Sequence, residues 1–149
     1  MKKVMLLHGV NHNMFGKRDP KQYGTITLDE INKKVNDLAE ELGIEVTNFQ
    51  TNNEGEFIDK IHEAYLQGYD GVMLNAGAWT HYSHAIGDAL RILECPVIEL
   101  HMSNVHAREE FRHHSVISPI ASGIIVGLGS SVYTLGLRAF DDIFRGNND

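Results

Sequence analysis

Pro96-Val97-Ile98-Glu99-Leu100-His101-Met102-Ser103-Asn104-Val105-His106-Ala107-Arg108-Glu109-Glu110-Phe111-Arg112-His113-His114-Ser115 opens on a short apolar run and then turns polar and cationic. From Glu99 onward it carries four of the nine histidines and two of the six arginines. The apolar part, Val97 to Leu100, reads as a buried strand and the remainder as a loop at its carboxyl end. Open α/β sheets present their functional groups at that edge.

The flanking sequence supports this reading. Upstream, Gly71-Val72-Met73-Leu74 is another apolar strand, delivering Asn75 and the turn Ala76-Gly77-Ala78. Between the two strands, Ile86, Ala89, Leu90 and Leu93 form the stripe of a helix that must stop before Pro96. Val4 to Leu7 is a first strand, and the alternation from Ile44 to Gln50 a second. Thr27 and Glu30 form a capping box for a helix with Ile31, Val35, Leu38, Ala39 and Leu42 inward, ended by Gly43. Asn53 with Glu56 opens a helix that carries Phe57, Ile58, Ile61, Ala64 and Tyr65 and ends at Gly68. Ser122 to Leu128 is a fifth strand and Val132 to Phe144 the closing helix. Met14 to Thr25 shows neither helical nor strand period, and a polar connection of that length suggests a lid.

Strands and helices alternate, and the strands are almost continuously apolar. A parallel sheet covered on both faces follows. Five such units in 149 residues predict one flavodoxin-like three-layer α/β domain over residues 1–149, with a five-stranded parallel sheet. The ends of strands one, three and four then share an edge, which brings together His8 to Asn11, Asn75 to His81 and Glu99 to Ser103.

Composition narrows the function classes. With 42% hydrophobic and 22% charged residues the chain has ordinary globular usage, so neither disorder nor a fibre is indicated. A formal charge of −7 argues against nucleic acid or an anionic membrane as partner, while an anionic small molecule fits wherever arginines gather. The single cysteine, Cys95, rules out an intramolecular disulfide and suits a reducing cytosol. The N-terminus lacks the apolar length and cleavage site of a signal peptide. A soluble, cytoplasmic protein is expected.

Arg18, Arg108 and Arg112 fall in expected loops. Any one of them could be surface charge, but three near one edge of an acidic protein suggest a carboxylate or phosphate site. Glu99 and His101, two residues apart on one strand, share a face. A carboxylate there fixes the imidazole tautomer and favours its charged form, as suits a general acid; a purely structural hydrogen bond accounts for the pair equally well. His106, His113 and His114 lack metal-site spacing, and no HExxH or CxxC occurs, so no metal is expected. All seven lysines lie near the start, in the polar loop or on polar helix positions, which disfavours imine chemistry. No GxSxG elbow marks a serine nucleophile. Gly127-Leu128-Gly129-Ser130-Ser131 reads better as a tight strand-to-helix turn than as a phosphate loop. Tyr23, five residues after Arg18, is either a loop anchor or a base, since a nearby cation favours the phenolate.

Taken in order, the motifs resemble those of type II 3-dehydroquinate dehydratase. They are Leu7-His-Gly-Val-Asn11, Gly16-Lys-Arg-Asp-Pro20 with Tyr23-Gly24, Asn53-Glu-Gly-Glu56, Asn75-Ala-Gly-Ala78, Thr80-His81, Asp88-Ala89, Glu99-Leu-His-Met-Ser-Asn104 and His106-Ala-Arg-Glu-Glu-Phe-Arg-His-His-Ser115. The resemblance covers nearly the whole chain. It implies conversion of 3-dehydroquinate to 3-dehydroshikimate by elimination of water through an enolate, with no cofactor, metal or Schiff base. Tyr23 would accept the proton, Arg18 would stabilise the transition state, and His101, oriented by Glu99, would protonate the departing hydroxyl. Asn11 would hold a water against the enolate. Asn75, His81, the Met102–Ser103 backbone and Arg112 would bind the substrate. Asp88 would reach a neighbouring subunit's site, because the family assembles trimers into homododecamers.

Several positions depart from the family pattern. His8-Gly-Val-Asn11 stands where Asn-Gly-Pro-Asn is usual, so His8 is expected to change charge and size beside the site. Ala76 replaces a common proline, Gly87 a usual arginine and Tyr82 a usual threonine. Two further readings are a relative acting on another cyclic hydroxy-ketone acid and a binding module that only senses such a metabolite.

Overall fold

The computed structural model describes all 149 residues. Five short apolar segments form one parallel sheet: β1 (Lys3–His8), β2 (Glu45–Gln50), β3 (Gly71–Asn75), β4 (Val97–His101) and β5 (Gly123–Val126). Their spatial order is β2-β1-β3-β4-β5, the flavodoxin-like doubly wound order. The fold expectation therefore holds. The chain winds one way from β1 to β2 and the other way from β1 through β3. A crevice opens beyond the carboxyl ends of β1 and β3, where His8 pairs in register with Asn75 and, one strand further, Leu74 with Glu99.

The period-2 alternation of strand side chains sorts the core into two layers. Val4 and Leu6 point to one face, with α2 (Leu28–Leu42) and α5 (Ser131–Arg145), in a cluster that includes Ile31, Val35, Leu137 and Phe140. Met5 and Leu7 point to the other face, with α3 (Glu54–Leu66) and α4 (His84–Leu90), beside Phe57, Ile61, Ile86 and Leu90. The capping box is present in both directions: Thr27 Oγ1 accepts from the Glu30 N–H, and Glu30 accepts from the Thr27 N–H. No helix is long and apolar enough to cross a membrane.

Three expectations about local structure are corrected. The stretch from Met14 to Thr25 is not without structure. It contains α1 (Pro20–Tyr23), one helical turn with Pro20 at its first position and the Asp19 carboxylate accepting from the Lys21 N–H. The helix after β3 is shorter than its apolar stripe suggested and ends at Leu90, because the Ile92 and Leu93 N–H groups bond only three residues back, to the Ala89 and Leu90 carbonyls, in a turn. β5 spans four residues rather than seven, since Gly127 turns the chain at φ 87°.

Gly9 closes the turn after β1. Its N–H donates to the Asn75 carbonyl at 2.8 Å, and a Cβ at this position would stand 2.6 Å from the Ala76 carbonyl carbon and oxygen. Backbone cannot swing aside as a side chain can. Gly9→Ala is therefore expected to destabilise the fold by about 2 kcal/mol or more. A denaturation midpoint equal to that of the parent would show that the two turns separate freely.

Candidate active site

The crevice holds a cleft of about 550 Å³. Its wall is built from Asn11 and His12 after β1, Arg18 and Tyr23 from the polar loop, Asn75 to His81 after β3, and His101 to Arg112 after β4. Three arginines face it, and no carboxylate lines it. In an acidic protein such a wall selects an anionic ligand.

Glu99 and His101 share one face of β4, as their spacing requires. His101 Nε2 lies 2.6 Å from Glu99 Oε2, and both side chains are buried. Glu99 sits behind His101 and does not itself line the cleft. Thr80 Oγ1 and Ser115 Oγ each donate to Glu99 Oε2 at 2.9 Å, and Ser118 Oγ donates to Oε1. Burial alone would push this carboxyl up. The hydrogen bond and charge of His101, with the Ser118 and Ser115 hydroxyls, more than offset it and hold the group below its ordinary value. With Nε2 committed to Glu99, Nδ1 is the ring nitrogen left to exchange a proton with a ligand.

Opposite chemistry comes from the polar loop. Arg18 Nη2 donates to Tyr23 Oη at 3.0 Å, and Arg108 Nη1 donates to the same oxygen at 2.9 Å. The Arg18 guanidinium also lies over the Tyr23 ring, its Cζ 3.9 Å from the ring centre. Arg108 Nη1 reaches Ser103 Oγ at 3.1 Å as well, so this arginine ties the loop to the end of β4. Two guanidinium donors on one phenolic oxygen meet the negative charge that forms when its proton leaves.

Asn75 is held on both sides of its amide. Its Nδ2 donates to Tyr133 Oη at 2.9 Å and its Oδ1 accepts from the Gly77 N–H at 3.1 Å. His81 Nδ1 donates to the His114 carbonyl at 2.8 Å, which leaves Nε2 as an acceptor toward the cleft. Burial lowers the His81 pKa, and the nearby His101 and Arg112 charges act in the same direction. Arg112 lines the cleft with its Nε engaged by Glu109 at 3.1 Å. Asn11 adopts φ 70°, the only positive φ outside glycine, and Asn52 accepts its N–H at 2.8 Å. Met102 and Ser103 are part of the wall. Asp88 is not: it is exposed on α4.

The expectation for His8 is corrected. His8 is fully buried, does not line the cleft and packs 5.4 Å from the Tyr133 ring. Its Nε2 donates to Asn32 Oδ1 at 2.8 Å, leaving Nδ1 enclosed without a partner. Burial pulls its pKa down from 6.5 to about 4, so the ring adds no charge at neutral pH. In the unfolded chain His8 takes up a proton near 6.5, whereas in the folded chain it resists until about 4. Stability is therefore full above 6.5 and falls through that window as pH drops, by about 3 kcal/mol for this group. Denaturant titrations at pH 7, 5.5 and 4.5 should show the decline, and His8→Asn should flatten it. A variant with the parent's slope would assign the decline to other groups.

Several residues of this arrangement escaped the sequence reading. Arg108 was grouped with the loop cations, yet it binds Tyr23 directly. Only the density of basic residues after β4 pointed to it. Tyr133 and Ser118 lie outside every motif, and although Thr80 and Ser115 fall within motifs, nothing local shows that their hydroxyls reach Glu99. His12 directly follows Asn11, one residue outside the motif Leu7–Asn11, and has no spacing signal of its own.

Residues 2–141 match the family model described as dehydroquinase class II. The chain is 57% identical over 148 residues to the 3-dehydroquinate dehydratase of Syntrophotalea carbinolica, covering 99% of this chain and all of that one. It is 59% identical over 136 residues to that of Leptothrix cholodnii, covering 91% of each. Among solved structures, a type II dehydroquinase from Propionibacterium acnes superposes with a TM-score of 0.92 at 42% identity, over 95% of this chain and 97% of that one. A 3-dehydroquinate dehydratase-like protein from Bifidobacterium longum gives 0.74 at 32% identity, over 97% and 98%.

Proposed function

The chain belongs to the class II dehydroquinase family and is an enzyme, and from that premise we propose that it dehydrates 3-dehydroquinate to 3-dehydroshikimate through an enolate, without metal or Schiff base. One observation carries the reading: a tyrosine oxygen bound by two arginines shares a carboxylate-free cleft with a histidine backed by a buried glutamate.

Tyr23, as phenolate, takes the proton from the carbon next to the ketone, and the electron pair moves onto the carbonyl oxygen. Arg18 stabilises the charge in that transition state, joined by Arg108. Asn11 holds a water against the enolate. The enolate then reforms the ketone and the new carbon–carbon double bond, and the hydroxyl leaves with the proton from His101 Nδ1 as water. Solvent exchange returns one proton to His101 and removes one from Tyr23. Glu99 keeps the His101 ring oriented, with Nδ1 left to deliver the proton. Arg112 binds the substrate carboxylate, while Asn75, His81 and the Met102–Ser103 backbone bind the ring hydroxyls. No lysine lines the cleft, and no three side chains of ligating type converge on one point, which supports a route through proton transfers alone.

Residues 1–149 act as one domain in the cytoplasm, and the assembly is a homododecamer of trimers in which Asp88 reaches a neighbouring site. Exposed Phe111, Ile124 and Leu128, at the β5 edge and beside the cleft, support an apolar contact between subunits. Gel filtration at the size of a monomer would remove both the assembly and the role of Asp88.

The test of the activity is direct. The protein is mixed with 3-dehydroquinate and the absorbance of the conjugated enone product is followed. Turnover that survives chelator and borohydride is the expected result. Tight binding without turnover would instead mark a sensing module.

A further inference from the structure

His12 has no role in the scheme above, yet its ring faces the cleft in a single defined tautomer. Its Nδ1 accepts from the Gly9 N–H at 3.0 Å, a donor it shares with the Asn75 carbonyl. An N–H can only donate, so Nδ1 is unprotonated and the neutral ring carries its hydrogen on Nε2. Burial, reinforced by the Arg18 and His101 charges nearby, holds the His12 pKa well below its ordinary value and keeps the ring neutral.

The Nε2–H finds no partner in the protein. The enclosed side-chain atoms without a partner are His8 Nδ1, Asn48 Oδ1 and Arg108 Nε, and His12 Nε2 is not among them. It is therefore open to the cleft, which His12 lines next to Asn11 and across from Gly77. Gly77 leaves it that opening: a Cβ there would stand 3.2 Å from Nε2. The ring cannot turn away, because it stacks on Phe15 with centres 4.7 Å apart and planes 18° off parallel.

We propose that His12 is a further catalytic residue, whose Nε2–H donates to the oxygen that becomes the enolate and shares that charge with the water held by Asn11. This rests on the dehydration reading above. A neutral imidazole suits the task. It supplies a fixed donor where negative charge develops and does not lose a proton that His101 needs to deliver. The donor acts more strongly on the enolate than on the ground-state ketone, so its effect falls on kcat.

The experiment compares parent, His12→Asn and His12→Gln on 3-dehydroquinate, with and without deuterium at the carbon that loses its proton. Asparagine keeps an acceptor for the Gly9 N–H and removes the distant donor, while glutamine restores an N–H at comparable reach. The expected result is a kcat about 100-fold lower for His12→Asn, with KM unchanged, a larger isotope effect and partial recovery in His12→Gln. The larger isotope effect follows because losing enolate stabilisation makes proton removal more rate-limiting, which a structural role would not do. An active parent with His12→Asn within twofold of it overturns the His12 role alone. Equal losses in both variants, tracking a lower Tm, also overturn it. A parent without turnover overturns the dehydration reading and this role together. If neither variant folds, imidazole ¹⁵N spectra of the parent decide: an Nδ1–H tautomer overturns the proposal, and an Nε2–H tautomer whose signal moves with a bound enolate mimic sustains it.

Discussion

Tyr23→Phe is expected to lower kcat for 3-dehydroquinate by about 10²- to 10⁴-fold, the range by which a positioned general base accelerates a reaction, with KM little changed. The substitution removes one oxygen and leaves the ring. That ring packs 5.9 Å from Phe15 and beneath the Arg18 guanidinium, contacts that need no hydroxyl. Loop closure and folding therefore survive, and the loss reports chemistry. Arg18 and Arg108 would lose their shared acceptor, yet both remain partly open to the cleft and to water. Steady-state kinetics with a thermal melt give the answer. Activity above a tenth of the parent's at an unchanged Tm would place the base elsewhere.

His101→Ala should cost both activity and stability. Activity falls by a similar factor because the departing hydroxyl loses its proton source. Stability falls because a fully buried Glu99 loses the partner whose bond and charge offset its burial. Breaking a buried pair from one side costs about 3–5 kcal/mol, and the hydroxyls of Thr80, Ser115 and Ser118 that remain should hold the loss near the lower figure. The pH dependence follows from the direction of the shift. In the parent the Glu99 carboxyl lies below 4.5, so its contribution is complete above 4.5 and is lost as pH falls through the lower folded value. Without His101 the burial effect is no longer offset by its largest opponent, and the acid loss should begin at higher pH. Denaturation of parent and variant between pH 3 and 8 measures it. Curves that differ by a constant offset would show that the hydroxyls alone hold the carboxylate.

The sequence reading and the structure part company at identifiable places. Strand positions were legible because burial on both faces demands nearly uninterrupted apolar runs, and β1, β3 and β4 each provide one. Helix starts were legible at Thr27 and Asn53, where caps leave a local signature. The short turn of α1 was missed because four residues cannot show a 3.6-residue period; only Asp19-Pro20 carries its start signal. The early end of α4 at Leu90 was missed because Leu93 continues the apolar spacing in a turn rather than a helix. Gly87 fits the packing seen here, since a Cβ there would already meet Ile120 Cδ1 at 3.3 Å.

Within the candidate site the same division applies. Glu99 and His101 were legible as a pair because two residues on a strand always share a face. Tyr23 and Arg18 were legible as neighbours, but not the second guanidinium, since Arg108 lies 85 residues away and arrives by the folding of the loop after β4. His8 was expected to add charge, an inference from residue type alone. Its burial cancels that, because an enclosed imidazole resists protonation.

By itself, then, the sequence determined the order of elements, the parallel sheet and the edge on which the chemistry gathers. Each depends on short-range periodicity and on hydrophobic burial that a local pattern reports. Tertiary structure alone decided which groups share a hydrogen bond, which histidines stay neutral and which nitrogen faces the cleft. Those properties depend on distance and exclusion of water between segments far apart in the chain.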